Sequence, residues 1–513
     1  MNTIQTGHAA SAIVIGSGVG GLAIAAHLAQ RGLRVTIVEK NAWPGGRCDH
    51  FARDGHHFNT GPTLLIMPRV YEEEFAALGV NLRERLDLRR VDPTYHLIFD
   101  DGSQLALTSD LQRMYEQLEA IETGSFQGFL RYLSEGTRHY DVAMDKLVEH
   151  DFRTASDFFT WRNAPLLFSL DPLARHYRHM ASYFKEARLK AAFTFQDVYM
   201  GLSPFEAPST FSMMASTELA HGVWYPIGGM YQIVVALMEI ARQAGGDFLF
   251  HAPVARIDVS DHHARGVTLA DGRRFDADIV VANADLPYVY QRLLPDGAMA
   301  DQLNNKRFSC SAISFFWGVD KTYPELYPHT LFLADEYQQN FERISQLRDL
   351  PERPSLYIHA PARLDPEAAP ADQDTLIAVV PVGHLDSAGK QDWRRIRASA
   401  RQAVFDRLAL LGITDLPDHL KFEVNYTPLS WRKRYNLTLG STHGLSHTLS
   451  QLGYLRPHNR HPLYHNLYFV GASTHPGTGV PTALVCARLV AERIMDEFPA
   501  RRPALAASAA SGR

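Results

Sequence analysis

Ala12-Ile13-Val14-Ile15-Gly16-Ser17-Gly18-Val19-Gly20-Gly21 decides the fold: a short apolar strand runs straight into a glycine turn. An Ala/Leu-rich helix from about Leu22 to Gln30 and a second strand from Arg34 to Val38 follow. Strand, turn, helix and strand this close together require parallel pairing and a right-handed crossover, so the chain opens as an α/β protein. The turn carries G-x-G-x-x-G at Gly16, Gly18 and Gly21, with Gly20 inside it. The first glycine permits the tight turn, the second lets backbone N–H groups approach a pyrophosphate, and the third lets helix and strand pack closely. The second strand ends at Glu39, where an acid accepts hydrogen bonds from ribose hydroxyls and disfavours a 2′-phosphate.

Outward from this unit, 513 residues exceed the size at which one hydrophobic core keeps growing, so two or three domains are expected. Hydrophobic residues at 46% and charged residues at 21% exclude a disordered, collagenous or coiled-coil chain. A net charge of -5 without a basic block argues against nucleic acid as a partner. Cys48, Cys310 and Cys486 form no C-x-x-C pair, which argues against disulfides and cysteine metal sites and points to a reducing, cytoplasmic compartment. The N-terminus reads as no signal peptide, and no apolar run is long enough to span a bilayer.

Between about Glu72 and His221 the pattern turns to amphipathic helices, such as Leu111 to Ile121 and Phe126 to Lys146. Strand-like segments return at Phe248 to Ile257 and Ala264 to Leu269, and Asp271-Gly272 turns into a further strand, Arg274 to Val281. Ala312 to Val319 and Thr375 to Val380 read as strands, and the last unit is a strand, Asn466 to Val470, followed by a helix from about Thr482 to Phe498. The Ala/Ser/Gly tail is expected to be disordered.

Two more turns carry chemistry. Gly45-Gly46-Arg47 offers close backbone approach and a guanidinium for phosphate or flavin. Gly471-Ala-Ser-Thr474-His-Pro-Gly477-Thr-Gly479-Val480-Pro481 repeats the strand, glycine turn and helix start at the far end of the chain. Two phosphate-friendly turns at opposite ends suggest one large ligand touched by both, and FAD fits better than NAD.

These residues resemble the bacterial and fungal type phytoene desaturases, FAD-dependent carotenoid desaturases of the flavin amine-oxidase-like superfamily. The resemblance rests on the turns above and on Phe58-Asn-Thr-Gly61-Pro62-Thr63, Gly222-Val-Trp224-Tyr-Pro226-Ile-Gly228-Gly229-Met230, Asn283-Ala284-Asp285 and Leu455-Arg-Pro457-His-Asn-Arg460. Thr478, Thr482 and Cys486 depart from the Gly, Gly and Ser of many relatives. The resemblance implies a Rossmann-like FAD-binding domain assembled from 9–76, 222–290 and 461–498, with Val254 on a strand passing the adenine. It also implies a mixed α+β substrate domain from 77–135 and 291–460, a helical, membrane-associated subdomain at 136–221, and a disordered tail at 499–513.

The expected reaction is desaturation of a linear carotenoid-type polyprenoid, phytoene-like C40 or dehydrosqualene-like C30, by hydride transfer to flavin, with quinone or oxygen as the final acceptor. Isomerase, saturase or terminal-oxidase chemistry and a non-catalytic prenyl-lipid carrier are the alternatives. No catalytic residue is assigned; Asp157 is a candidate base or orienting group, for which helix capping or solvent exposure is the better reading. His443 and His447 lie four apart but lack a third ligand, so no metal is expected. The aromatic and basic stretch from Asp157 to Arg178, with Trp161, Arg162, Phe168 and Arg175, suits a membrane surface and peripheral association.

Overall fold

The computed structural model describes residues 9–161, 163, 173–294, 297–346 and 350–498. The 499–513 tail and residues 162 and 164–172, with Arg162 and Phe168, lie outside them.

The opening strand forms over Ser11–Ile15, its helix over Val19–Gln30 and the second strand over Arg34–Val38. The strand is buried from Ala12 onward, which explains its unbroken apolar run. It sits at the centre of a five-stranded parallel sheet, ordered Leu467–Phe469, Ile279–Ala282, Ser11–Ile15, Arg34–Val38, Asp247–Leu249. Residues some 450 positions apart thus share one sheet. The Val19–Gln30 helix packs between the Tyr231–Gln243 and Val480–Glu497 helices, burying a core of Ala23, Ala26, Leu237, Ala487 and Val490. The small alanines let these helices approach closely.

Two expected strands are each divided between sheets. Phe248 to Ile257 splits into Asp247–Leu249, the edge of the parallel sheet, and Val254–Ser260, which pairs antiparallel with His263–Leu269. Arg274 to Val281 splits into Arg274–Asp276, the third strand of that antiparallel sheet, and Ile279–Ala282. The break falls at Asp278, whose carboxylate accepts from both the backbone N–H and the hydroxyl of Ser11, each at 2.8 Å. The change of sheet comes between the charged, mostly exposed Arg274–Asp276 strand and the fully buried Ile279–Ala282 strand.

The segment after Glu72 is not wholly helical. It contributes the strands Leu88–Val91, Tyr95–Phe99 and Gln104–Leu107. The last two join a seven-stranded mixed sheet with Ser311–Val319, His329–Leu333, Leu356–His359, Asp374–Val382 and Leu420–Tyr426. All of Tyr95–Phe99 is buried, so alternation of polar and apolar residues is absent. The signal that identifies the hairpin is Asp100-Asp101-Gly102 between the two strands. The helices Leu111–Ile121 and Ser125–Ala143 follow as expected.

Candidate functional site

The glycine turn leaves the central strand where its neighbours diverge. Gly16 N–H donates to Val38 O at 2.8 Å, and Gly45 N–H donates to Ser17 O at 2.9 Å, drawing the Gly45-Gly46 loop against the first turn. The glycines have different reasons to lack a side chain. At Gly21 a Cβ would lie 2.0 Å from Gly16 O, so this residue serves helix–strand packing. Gly20 is closed in by Val470 and Asn283. Gly18 has an ordinary φ of -69°, and a Cβ there would come no nearer than 3.2 Å to Asn283. A side chain at 18 would ask the Asn283 amide to give way only slightly, so the chain itself demands glycine here less than at Gly21, and the cavity side of Gly18 suits a ligand.

Gly16, Gly18 and Gly20, Glu39, Gly45, Gly46 and Arg47 all line one cavity of about 680 Å³. So do Val254 and, from the far end of the chain, Gly471, Gly479, Val480 and Pro481. Gly21, Thr474 and Gly477 lie behind this wall. Thr474 Oγ1 donates to Gly471 O at 2.9 Å and closes the turn; Gly477, at φ +140°, lies against the His447 ring. Two helix N-termini, at Val19 and at Val480, therefore bring their unpaired amides and positive dipole ends to one space.

Glu39 is buried and accepts from Ser17 N–H and Oγ–H through Oε2, at 2.8 and 2.9 Å, and from Asn41 N–H through Oε1 at 2.8 Å. With about four lone-pair sites on a carboxylate, Oε1 retains capacity for a hydroxyl. Arg47 donates to Thr442 O at 2.9 Å, and burial pulls its pKa down while the nearby Asp285 carboxylate pulls it up. Asp285 is pushed upward by burial and held back by Thr438 and Arg47; it accepts from Thr438 N–H at 2.9 Å and Ser473 Oγ–H at 3.0 Å. The cradle combines amides, helix dipoles, one acid and one guanidinium, a donor set that matches an adenine dinucleotide with a flavin at its end.

Beyond the cradle the same cavity continues between Met144, Phe195, Met214, Leu331, Phe341 and Val379. Apolar side chains from the helical region and from the seven-stranded sheet line this part.

Several residues left unassigned by sequence matter here. Asn283 Nδ2–H donates to Gly16 O at 3.2 Å and fills the space between the opening and closing glycine turns. Arg456 stands behind the closing turn and is hydrogen-bonded to its carbonyls. Both lie in segments quoted for the family resemblance, but only the assembled turns reveal what they touch. Asp157 is an exposed N-terminal cap: its carboxylate accepts from Thr154 N–H at 2.7 Å, which lowers its pKa. That bond suits a helix cap, not a base in the cavity. His443 is half-buried and His447 buried; both are neutral, pushed down by desolvation, and His447 Nε2 accepts from Thr478 N–H at 3.1 Å. Among the described residues no cluster of His, Cys, Asp and Glu is arranged for a metal.

The family model for flavin containing amine oxidoreductases matches residues 19–495. The chain belongs to that family. Its cofactor is FAD, and it is an FAD-dependent oxidoreductase. The chain is 40% identical over 510 residues to a phytoene desaturase of Fusarium fujikuroi, covering 95% of this chain and 89% of that one. It is 33% identical to a 4,4'-diapophytoene desaturase (4,4'-diaponeurosporene-forming) of Staphylococcus haemolyticus, over 94% and 98% of the two chains. Among solved structures, putrescine oxidase bound to putrescine shares the fold with a TM-score of 0.64 at 17% identity, covering 95% of this chain and 99% of that one.

Proposed function

We propose that this flavoenzyme desaturates a linear carotenoid-type polyprenoid. The observation that carries the reading is the single cavity, which joins a two-sided dinucleotide cradle to an apolar channel. A hydrocarbon offers nothing to hydrogen-bond, so the channel must bind it by burial, at about 0.8 kcal/mol per CH2. Bound FAD supplies a two-electron, hydride-accepting oxidant. The chain's own residues hold that group from both ends, exclude water and line up one CH2–CH2 pair of the substrate; conjugation with the polyene spreads the developing positive charge. The named relatives are desaturases, which favours this reading over isomerase, oxidase or carrier roles. The greater identity to a phytoene desaturase favours a C40 over a C30 substrate. Incubating the purified holoenzyme with defined C40 and C30 precursors in liposomes should give products with added conjugated double bonds, more rapidly from C40. A hydroxylated product, an aldehyde or a rearrangement without net oxidation would contradict it.

The division into domains follows the same reading. Every strand of the parallel sheet comes from 9–76, 222–290 or 461–498, which supports one FAD-binding domain built from those stretches. The seven-stranded sheet draws on 77–135 and 291–460, in keeping with a substrate domain, and 136–221 supplies helices.

Peripheral attachment to the cytoplasmic face of a membrane completes the proposal, with quinone or oxygen taking the electrons. Among the described residues no helix is long and apolar enough to cross a membrane. Phe159, Trp161 and Leu173 are 65%, 82% and 78% exposed, around the segment expected to meet lipid. Arg175 and Arg178, close to Leu173 in sequence, are exposed as well. Exposed aromatic rings and cations suit the headgroup region. Replacing Phe159 and Trp161 by Ser should reduce sedimentation with anionic liposomes without changing flavin content. Equal sedimentation of the two proteins would count against attachment here.

A further inference from the structure

Within the apolar channel, one polar chain stands out. Thr63 Oγ1 and the Tyr357 hydroxyl are 2.8 Å apart, and the Tyr357 hydroxyl is 2.6 Å from His329 Nδ1. Thr63 and Tyr357 line the cavity; His329 lies behind them, fully buried. The position of this chain follows from Gly61, whose backbone is pressed on Arg47 so closely that a Cβ would meet Arg47 O at 1.8 Å. Thr63 comes two residues later, so the hydroxyls open where the cradle meets the channel. A carbon poised for oxidation has to reach that junction.

The ring behind Tyr357 is set up to take a proton. His359, directly across the sheet from His329, faces Pro328 O with Nδ1 at 2.8 Å, so Nδ1 carries the hydrogen and Nε2 is bare. The two imidazoles stack at 4.7 Å with planes 6° apart. Nε2 of both rings is buried without a hydrogen-bond partner. Burial, with His359 adding to it, pushes the His329 pKa well below the usual 6.5, so the ring is neutral around pH 7. The other polar groups nearby are Tyr95, 5.9 Å from His329 by ring centroid, its hydroxyl partner Tyr199, and the buried Glu218, which burial pushes up to about 8 and so keeps protonated. Among the described residues no carboxylate hydrogen-bonds or ion-pairs with His329.

We propose that the Tyr357 hydroxyl, hydrogen-bonded to Thr63 and backed by His329, accepts the proton that desaturation releases from the substrate. This inference rests on the desaturase reading above. In that reaction bound FAD would take one substrate hydrogen as hydride. The neighbouring C–H bond then breaks: its electron pair becomes the new C=C bond, its proton goes to the Tyr357 oxygen, and the hydroxyl's own proton passes to His329 Nδ1. A carbon next to an allylic cation is strongly acidic, so a ring of low basicity suffices. That same low basicity keeps the ring unprotonated in mildly acidic solution.

Tyr357→Phe removes the hydroxyl, and His329→Gln retains an acceptor for the Tyr357 hydrogen bond but takes no proton. In the holoenzyme both should keep full flavin absorbance and a KM within about threefold, while kcat falls by about 100-fold or more. The unmodified enzyme should show a flat rate from pH 6 to 7, where Glu218 keeps its proton and His329 stays neutral. If the unmodified protein desaturates and both variants keep its kcat, the relay is overturned. A second measurement stands apart from turnover. 15N-histidine spectra of the holoenzyme at pH 7 should show His329 neutral with hydrogen on Nε2, and Nδ1 should shift in Tyr357→Phe. A cationic ring, or hydrogen on Nδ1, overturns the relay whatever the substrate proves to be.

Discussion

Gly18→Val is expected to purify as a folded protein that has lost its flavin absorbance. The residue has a backbone conformation open to any L-amino acid, and an added Cβ meets nothing nearer than 3.2 Å. What a valine would fill is the cavity side of the helix N-terminus, the approach for a pyrophosphate. Intruding methyl groups cost about 1–3 kcal/mol where packing is tight, and each charge-assisted amide bond lost costs about 1.5–3 kcal/mol more. FAD affinity should therefore fall by at least about 100-fold. Gly21→Val makes the contrast, because its side chain collides with Gly16 O and should prevent folding instead. Absorbance at flavin wavelengths and a thermal melt separate the two outcomes. A folded Gly18→Val protein with full FAD would show that the glycine turn does not hold the cofactor.

The second large effect is expected at Arg456. Its side chain is only 1% exposed and donates to Thr474 O at 2.9 Å, Ser446 O at 3.2 Å, Gln451 O at 3.0 Å, Leu445 O at 3.1 Å and Ala472 O. No carboxylate pairs with it among these bonds, and burial pulls its pKa down to about 9. One guanidinium therefore ties the Leu445–Gln451 loop to the closing turn of the FAD cradle. Arg456→Met keeps the volume and leaves several buried carbonyls without donors, a loss of about 3–5 kcal/mol. Both the melting temperature and the flavin content should drop. Arg456→Lys should rescue little, since one ammonium has three donors and no planar fork. Unchanged melting and flavin content in Arg456→Met would remove this role.

The cradle was more legible in sequence than the channel, for a physical reason. Gly16, Gly18 and Gly21 are set by backbone geometry at fixed spacing, and Glu39 follows from the length of one strand–helix–strand unit; such constraints are local. The channel is built from Met144, Phe195, Leu331 and Val379, brought together only by tertiary folding. Their apolar character reads like any core. The Tyr95–Phe99 strand was hidden by burial on both faces, and the Arg274 to Val281 strand was read as one because Asp278 changes sheets without a Gly or Pro to mark it. Tyr357 and His329 lie on neighbouring strands and share no motif, so their hydrogen bond has no sequence signature. The Asp157 reading resolves the other way: a capping residue three positions after Thr154 is a local pattern, and the structure places it there.

The central claim is that hydrocarbon oxidation and flavin reduction occur in the same cavity. Anaerobic mixing of oxidised holoenzyme with a carotenoid precursor in liposomes tests it most directly, with the visible spectrum followed in a single turnover. The flavin band should bleach as the polyene absorbance moves to longer wavelength, one new double bond per FAD reduced, and deuterium at the reacting methylenes should slow the bleaching if C–H cleavage limits the step. A flavin that stays oxidised with every C30 and C40 polyene tried would contradict the account.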